Sequence, residues 1–532
     1  MWLVAGVLCA LTGGCGGAPR ESGGSPAPQL QPRRYELTDF LASTATTVES
    51  KSAVQLLAAI GVDWIAGAAP SGRGSLPQTS YVAQAGLRVA AFSARGERVA
   101  LVRELDPDTT EVLLHDRARA ETRLLLPVDR DARFLPQAFS RDGGDLWLFS
   151  NDGGDTMQLE ILDLATGDRQ FRPRAGCDVR QLDLAADGAI YALQWTCAGA
   201  VEAGLFEAVT GAELGTLPLP MGTRVARALP AAESGGALYE IASGRFPRDL
   251  MFAERADPDA VARPLTFGLA PAIAAEDLVE PTLVHIRRGE APDLPAELWW
   301  PRRALPRPPA LLWIEDDARP PAWREFHPFL QFLANRGIAV LRLRPRGALG
   351  FGRRFRHAAD GRLADAGLED LDAARTELER RGVDAQRIAV LGEGSWAGTL
   401  AATAMVERAG RFVAAIDLGG DPDPLRQLDL VPTLAEPARA WWIARLGDPA
   451  TESARRDRSR MRFPTREVGR PLFVAVDPQA RAWSQEATAA RLAFDAANRI
   501  DLAPGTEAYD GLTPSEVAAL WTFLTIPLAT AP

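Results

Sequence analysis

Arg387-Ile-Ala-Val-Leu-Gly-Glu-Gly-Ser-Trp-Ala-Gly398 is the stretch on which the reading of this chain turns. Ile388 to Leu391 form an apolar run with the length of a buried strand, a glycine-rich turn follows, and the residues from about Ala397 to Glu407 predict a helix. A strand, a strained turn and a helix are the setting that presents a serine nucleophile, and such a turn asks for G-x-S-x-G. Small residues are needed two either side of the serine because the chain packs on itself there. Around Ser395 those positions hold Glu393 and Ala397. One residue earlier Gly392 falls correctly, but Gly394 then takes the nucleophile's place and Trp396 that of the second glycine. The setting is intact while its chemistry is displaced.

Outward from this stretch, strands alternate with helices from about residue 276 to the end. Pro309–Ile314, Gly337–Leu343, Phe412–Ile416 and Leu472–Val476 are apolar runs of strand length. Between and after them lie helical patterns at Trp323–Arg336, Leu368–Arg381, Glu486–Asn498 and Pro514–Leu524. The first carries Phe326, Phe329, Leu330 and Leu333 on one face, and the second Leu368, Leu371 and Leu378. Such alternation predicts a doubly wound, mostly parallel sheet covered on both faces, the α/β-hydrolase arrangement, over residues 276–532.

Residues 45–275 have a different grammar, with short alternating strands, Gly/Asp turns and little helical period. Phe92-Ser-Ala-Arg-Gly-Glu-Arg-Val-Ala-Leu-Val returns as Phe139-Ser-Arg-Asp-Gly-Gly-Asp-Leu-Trp-Leu-Phe, again from Leu184, and more weakly around Ala232–Ile241. The period of about 45 residues fits a four-stranded propeller blade. Four repeats are visible, and the span has room for five. The alternative is a pair of β-sandwiches. Trp147, Trp195 and the Asp/Gly turns read as blade core and blade turns rather than as a site.

The 532 residues carry a net charge of −10 and nearly all their positive charge as arginine, with Lys51 the single lysine. No basic footprint for nucleic acid exists. An apolar, small-residue run fills residues 1–15 and ends in Leu11-Thr-Gly-Gly-Cys15. It is too short to span a membrane and suits an export signal. It resembles a bacterial lipoprotein cleavage site, with Thr12 where leucine is usual and no Lys or Arg before the run. Cys15 is the expected lipidation site, residues 16–44 the tether, and the cell envelope or periplasm the expected location. Another exported form and a cytoplasmic protein with a misassigned start are the alternatives. Cys177 and Cys197 flank a strand-turn-strand pattern and are either a cross-strand disulfide or two buried thiols.

Three further runs carry a family resemblance. Phe332-Leu-Ala-Asn-Arg-Gly-Ile-Ala-Val-Leu341 leads to Arg346-Gly-Ala-Leu-Gly-Phe-Gly-Arg-Arg-Phe355, then Gly367 and Asp372, then Val383-Asp-Ala-Gln-Arg-Ile-Ala-Val390. In order and spacing these resemble the catalytic domain of the prolyl oligopeptidase (S9) family of serine peptidases. That family joins a β-propeller to an α/β-hydrolase domain, which implies a propeller lid over the carboxyl ends of the sheet and short peptides as substrates.

The resemblance also implies a Ser…Asp…His triad, and the chain departs from it at every member. No histidine follows His357; the family's terminal "GH" is matched by Tyr509-Asp-Gly-Leu512, with leucine in the histidine's place. Ala480 stands at the acid position, Asp477 three residues before it, and Glu315-Asp-Asp-Ala318 replaces the oxyanion loop. Ionised carboxylates only accept hydrogen bonds and repel the charge that an oxyanion hole stabilises. His327, on the expected amphipathic helix, and His357, at a helix start, are poor substitutes for the base. Glu315, Asp316, Asp317, Glu393 and Asp477 are either a pocket for a cation or amine or solvated loop charge.

The leading expectation is an inactive family member that binds a peptide or protein ligand in the cell envelope, touches membrane only through its lipid and needs no cofactor. A serine hydrolase working through Ser395 is the alternative, and metal-dependent chemistry at the acidic loops is a third.

Overall fold

The computed structural model describes residues 33–42, 87–126, 132–185, 187–231, 236–289, 291–303, 305–315, 323–421, 436, 438–461, 472–476, 499–501 and 512–528. The export signal, the expected helix at Glu486–Asn498, and Asp316, Asp317, Asp477 and Ala480 lie outside them.

Among the described residues the N-terminal half holds four small antiparallel sheets. The first holds β1 (Leu87–Phe92), β2 (Arg98–Asp106), β3 (Thr109–Asp116) and β4 (Glu121–Leu126). The second holds β5 (Phe134–Phe139), β6 (Asp145–Ser150), β7 (Gln158–Asp163) and β8 (Arg169–Arg172). The third has three strands, β9 (Cys177–Leu184), β10 (Ile190–Cys197) and β11 (Ala200–Glu207). The fourth holds β12 (Arg224–Pro230), β13 (Ala237–Ala242), β14 (Asp249–Ala253) and β15 (Arg263–Pro264).

The sequence repeat is a repeated turn between the first two strands of a blade. Ser93, Ser140 and Ala185 each donate their amide across it, to Arg98, Asp145 and Ile190 at 2.8–3.0 Å. Gly96, Gly143 and Gly188 take the left-handed conformation inside it, with φ of 68–75°. First strands of neighbouring blades adjoin one another, β1 to β5, β5 to β9 and β9 to β12, and so surround the propeller axis. Trp147 and Trp195 are buried between the second and third blades with Tyr191 and Phe206, as core residues. Cys177 and Cys197 are directly opposed in the β9–β10 ladder and form a disulfide, so the free-thiol alternative falls.

The described residues of the C-terminal half form an eight-stranded sheet. It comprises β16 (Thr282–Arg288), β17 (Ala291–Trp299), β18 (Ala310–Glu315), β19 (Ala339–Leu343), β20 (Ile388–Glu393), β21 (Ala415–Leu418), β22 (Leu472–Val476) and β23 (Arg499–Asp501). Their order is β16-β17-β19-β18-β20-β21-β22-β23; β16, β17 and β19 pair antiparallel and the rest parallel. The helices are α1 (Leu37–Ala42), α2 (Pro328–Asn335), α3 (Gly352–His357), α4 (Leu363–Arg380), α5 (Ser395–Glu407), α6 (Ala438–Leu446), α7 (Glu452–Met461) and α8 (Pro514–Thr525). Helices α4 and α5 cover one face through Leu368, Leu371, Leu378 and Leu400. Helices α1, α2 and α8 cover the other through Phe40, Phe329, Phe332, Leu333 and Leu520.

Two expectations need correcting. The tether does not run to residue 44, because Tyr35 and Phe40 are buried in the α/β core. Tyr35 donates its hydroxyl to Asp277 at 2.7 Å and accepts from the Ala274 amide at 3.0 Å. The helix expected from Trp323 begins only at Pro328, with His327 as its N-cap and Trp323 bridged to Ala200 of the propeller.

Candidate functional site

The turn after β20 settles the register question. Gly394 has φ 103° and ψ 173°, a conformation that glycine alone reaches readily, and it is the N-cap of α5. A Cβ on Gly392 would collide with the Ala397 carbonyl, and one on Gly398 would come within 2.5 Å of Asp417 Oδ1. The tight packing of a nucleophile turn is therefore kept at Gly392, and its apex is Gly394, which has no side chain. Ser395 is the first helical residue and is exposed. Its carbonyl accepts from the Asp421 amide at 2.6 Å, while its hydroxyl has no hydrogen-bond partner among the described residues. Trp396, in the second glycine's place, lays its ring on Gly367 of α4, where any Cβ would clash.

All four histidines are described, and none of them hydrogen-bonds Ser395. His115 bonds Thr122 within the first blade at 2.9 Å, and His285 is exposed on β16. His327 accepts the Leu330 amide at 3.3 Å and packs edge-on against Trp313. Burial, with the nearby Arg342 charge, holds its pKa well below the usual histidine value. His357 ends α3 rather than starting a helix, and it bonds two carboxylates, Asp360 at 2.7 Å and Asp108 at 3.2 Å. Leu512, in the family histidine's place, is half-buried against the core beside α8.

Glu315 and Glu393 end adjacent strands and stand opposite one another in the ladder. Both are buried, at 2% and 9% exposure, so they are not solvated loop charge. They are also internally engaged. Glu315 pairs with Arg342 and approaches Arg344 at 3.5 Å, and Glu393 accepts from Trp313 Nε1 at 2.9 Å. Glu297, fully buried on β17, shares Arg342 at 3.6 Å. Burial raises the Glu297 carboxyl pKa, against the pull of Arg342. Of the five expected pocket carboxylates, the two that are described thus meet arginine and tryptophan, as parts of one buried network. Among the described residues no His/Cys/Asp/Glu cluster is arranged to hold a metal ion.

The sequence reading missed Asp370 and had singled out Asp372. Asp370 is buried and accepts from the Arg346 amide and Nε, both at 2.8 Å, which fixes the loop from Arg346. Asp372 pairs instead with Arg408 and Arg411 nearer the surface. The missed signal was Arg346 itself, a buried guanidinium that requires a buried partner.

The chain is similar to known proteins in sequence and fold. The sequence profile of the prolyl oligopeptidase family matches residues 324–488. Dipeptidyl aminopeptidase BIII of Pseudoxanthomonas mexicana is 31% identical over 157 residues, which are 28% of this chain and 23% of that protein. Among solved structures, a puromycin hydrolase superposes with a TM-score of 0.68 at 18% identity, covering 84% of this chain and 70% of the other. A puromycin-hydrolysing peptidase of Mycobacterium tuberculosis gives 0.65 at 19%, with the same coverage. A prolyl endopeptidase gives 0.67 at 15% and covers 84% of this chain and 66% of the other. The fold is a β-propeller followed by an α/β-hydrolase domain, and the likeness to the prolyl oligopeptidase family at the level of sequence lies within residues 324–488. The match to the aminopeptidase spans less than a quarter of that relative's length.

Proposed function

We propose that this protein binds short peptides without hydrolysing them, as an exported module held at the cell envelope by lipid on Cys15. The observation that carries the reading is the turn: glycine occupies its apex, and the adjacent Ser395 hydroxyl has no hydrogen-bonded base among the described residues. Without a base the hydroxyl stays protonated at neutral pH, and losing a triad member removes several powers of ten in rate. Peptides are the ligand class because the fold is that of peptidases and the propeller sits against the α/β domain, where open α/β sheets take their ligands.

The test uses a fluorophosphonate probe, which labels only an activated serine, together with prolyl, alanyl and acyl-amino peptide substrates. Neither an adduct nor turnover above a Ser395→Ala control is expected. Robust turnover abolished by Ser395→Ala would replace this reading with the serine-hydrolase one. For the address, Cys15→Ala is expected to release soluble protein or leave an uncleaved precursor, and unchanged fractionation would refute the lipid anchor.

A further inference from the structure

Among the described residues the third blade has three strands where the other blades have four, and it carries the disulfide. Cys177 begins β9 and Cys197 ends β10, so the bond closes the last pair of their ladder. Next to it the chain turns from β10 into β11 through Ala198 and Gly199, both left-handed with φ of 48° and 89°. A two-residue turn of that hand matches the twist of a hairpin, but alanine takes the conformation reluctantly. The end of a ladder frays most readily, and here the cross-link holds it shut.

Both flanks of the disulfide grip the α/β domain. On one side the Gly199 carbonyl accepts the Trp323 amide at 2.9 Å, and Ala200 forms a bridge with Trp323. The Trp323 ring is fully buried and lies so close to Gly199 that a Cβ there would come within 2.1 Å of it. On the other side Asp178, the residue after Cys177, accepts the Gly352 amide at 3.3 Å, at the start of α3. Phe351, the residue before that helix, has its ring 5.4 Å from the Trp323 ring. One bond thus braces two contacts that meet in the α/β domain. The fourth blade holds the same segment independently. Arg224 donates to the Trp323 and Arg324 carbonyls at 2.9 and 2.6 Å, and Arg248 pairs with Glu325 at 2.8 Å.

We propose that the Cys177–Cys197 disulfide is a redox-operated catch between the domains, which reduction by a dithiol opens at Trp323 and Gly352 while the fourth blade keeps hold of Glu325. Exchange with the dithiol breaks the S–S bond, passes two electrons and two protons to the cysteine sulfurs and leaves the reductant as a disulfide. Both cysteines are only half-buried, which leaves the bond open to attack by a small thiolate. With the ladder end freed, the turn at Ala198 and Gly199 and the neighbouring Asp178 lose the brace that holds them on the α/β domain. The inference goes beyond the binding function and does not depend on it.

Hydrogen exchange resolved to single amides would be followed on the full chain, oxidised and treated with dithiothreitol, and on Cys177→Ser with Cys197→Ser. Reduction is expected to speed exchange of the Trp323 and Gly352 amides at least tenfold, and reoxidation with glutathione disulfide to restore their protection. The Arg324 amide, which bonds Glu297 within the α/β domain, and the β2–β3 amides of the first blade should not change. The double variant should match the reduced protein. Unchanged exchange at Trp323 and Gly352 after complete reduction overturns the catch, as does a double variant that protects both amides like the oxidised protein. A disulfide that dithiothreitol leaves intact in the folded protein overturns it too. Faster exchange that spreads to the first blade makes the bond a general brace of the propeller and likewise overturns the proposal. Should the double variant not fold, the reduced and reoxidised wild type carries the same comparison.

Discussion

His357 Nε2 lies 3.2 Å from Asp108 Oδ2, across the boundary between the α/β domain and the first propeller blade. Asp108 sits on the β2–β3 turn and also receives Arg356 and Trp441 Nε1. His357 further bonds Asp360, which pairs with Arg445. Hydrogen bonds donated to Asp108 and then Asp360, against burial, raise the histidine pKa to about 9. Burial pushes the Asp108 carboxyl up, but His357, Arg356 and Trp441 bring it down to about 2. A histidine protonated at neutral pH is no general base, so this residue joins two domains instead of replacing the triad member.

The pH dependence follows from the sign of that shift. A histidine with a higher pKa folded than unfolded contributes its stability fully below about pH 6.5, and the contribution is lost as pH climbs through about 9. Asp108 works oppositely: its contribution is present above about pH 4 and is lost as pH falls towards 2. Melting temperatures from pH 6 to 10 should therefore fall more steeply for wild type than for His357→Gln. Parallel curves would mean that this pair does not contribute to stability.

Arg342 is the second place where a single change should matter. It stands between Glu297 and Glu315, both buried, with Glu393 close by. Deleting it removes the cation that Glu297 shares and leaves Glu315 with Arg344 alone, and removing one partner of a buried pair costs about 3–5 kcal/mol. Arg342→Met should show that loss in urea unfolding, whereas Arg342→Met with Glu297→Gln and Glu315→Gln should recover part of it. A single variant as stable as wild type would contradict the network.

The third prediction concerns the disulfide. Cys177 and Cys197 are 20 residues apart, and closing such a loop lowers the entropy of the unfolded chain by the equivalent of about 3 kcal/mol. Cys177→Ser with Cys197→Ser, or reductant on wild type, should lower the melting temperature, and alkylation without reductant should leave both cysteines unmodified. Free thiols at both positions in protein isolated from the envelope would argue against an oxidising address.

How far the fold could be read depended on whether its signals were local. The propeller repeat was legible because Gly96, Gly143 and Gly188 each need a left-handed turn at one spacing. The α/β strands were legible because Leu311, Val340 and Val390 lie in apolar runs buried on both faces of a sheet. The clasp at Tyr35 and Phe40 was hidden because two aromatic residues beside a Pro/Gly-rich tract give no period, and their partners Asp277 and Phe332 lie more than 200 residues away. The acidic residues near the site could be named from sequence, but not their arginine partners. Pairing across strands depends on register, and register is set by the whole sheet.

The turn itself supplies the last prediction. Gly394 holds a conformation that a side chain strains by about 1–3 kcal/mol, and Gly392 admits no Cβ without moving the backbone of α5. Gly394→Ser places a hydroxyl at the apex where the family has its nucleophile. It should lower stability by about 1–3 kcal/mol in urea unfolding and yield no peptide turnover, because no histidine is positioned to take the proton. Gly392→Ala should cost about 3 kcal/mol, at the upper end for overpacking, since the obstacle is backbone and not a flexible side chain. Gly394→Ser in a protein that folds as stably as wild type and cleaves peptides would mean that a base reaches this turn after all, and the non-hydrolytic function would fall with it.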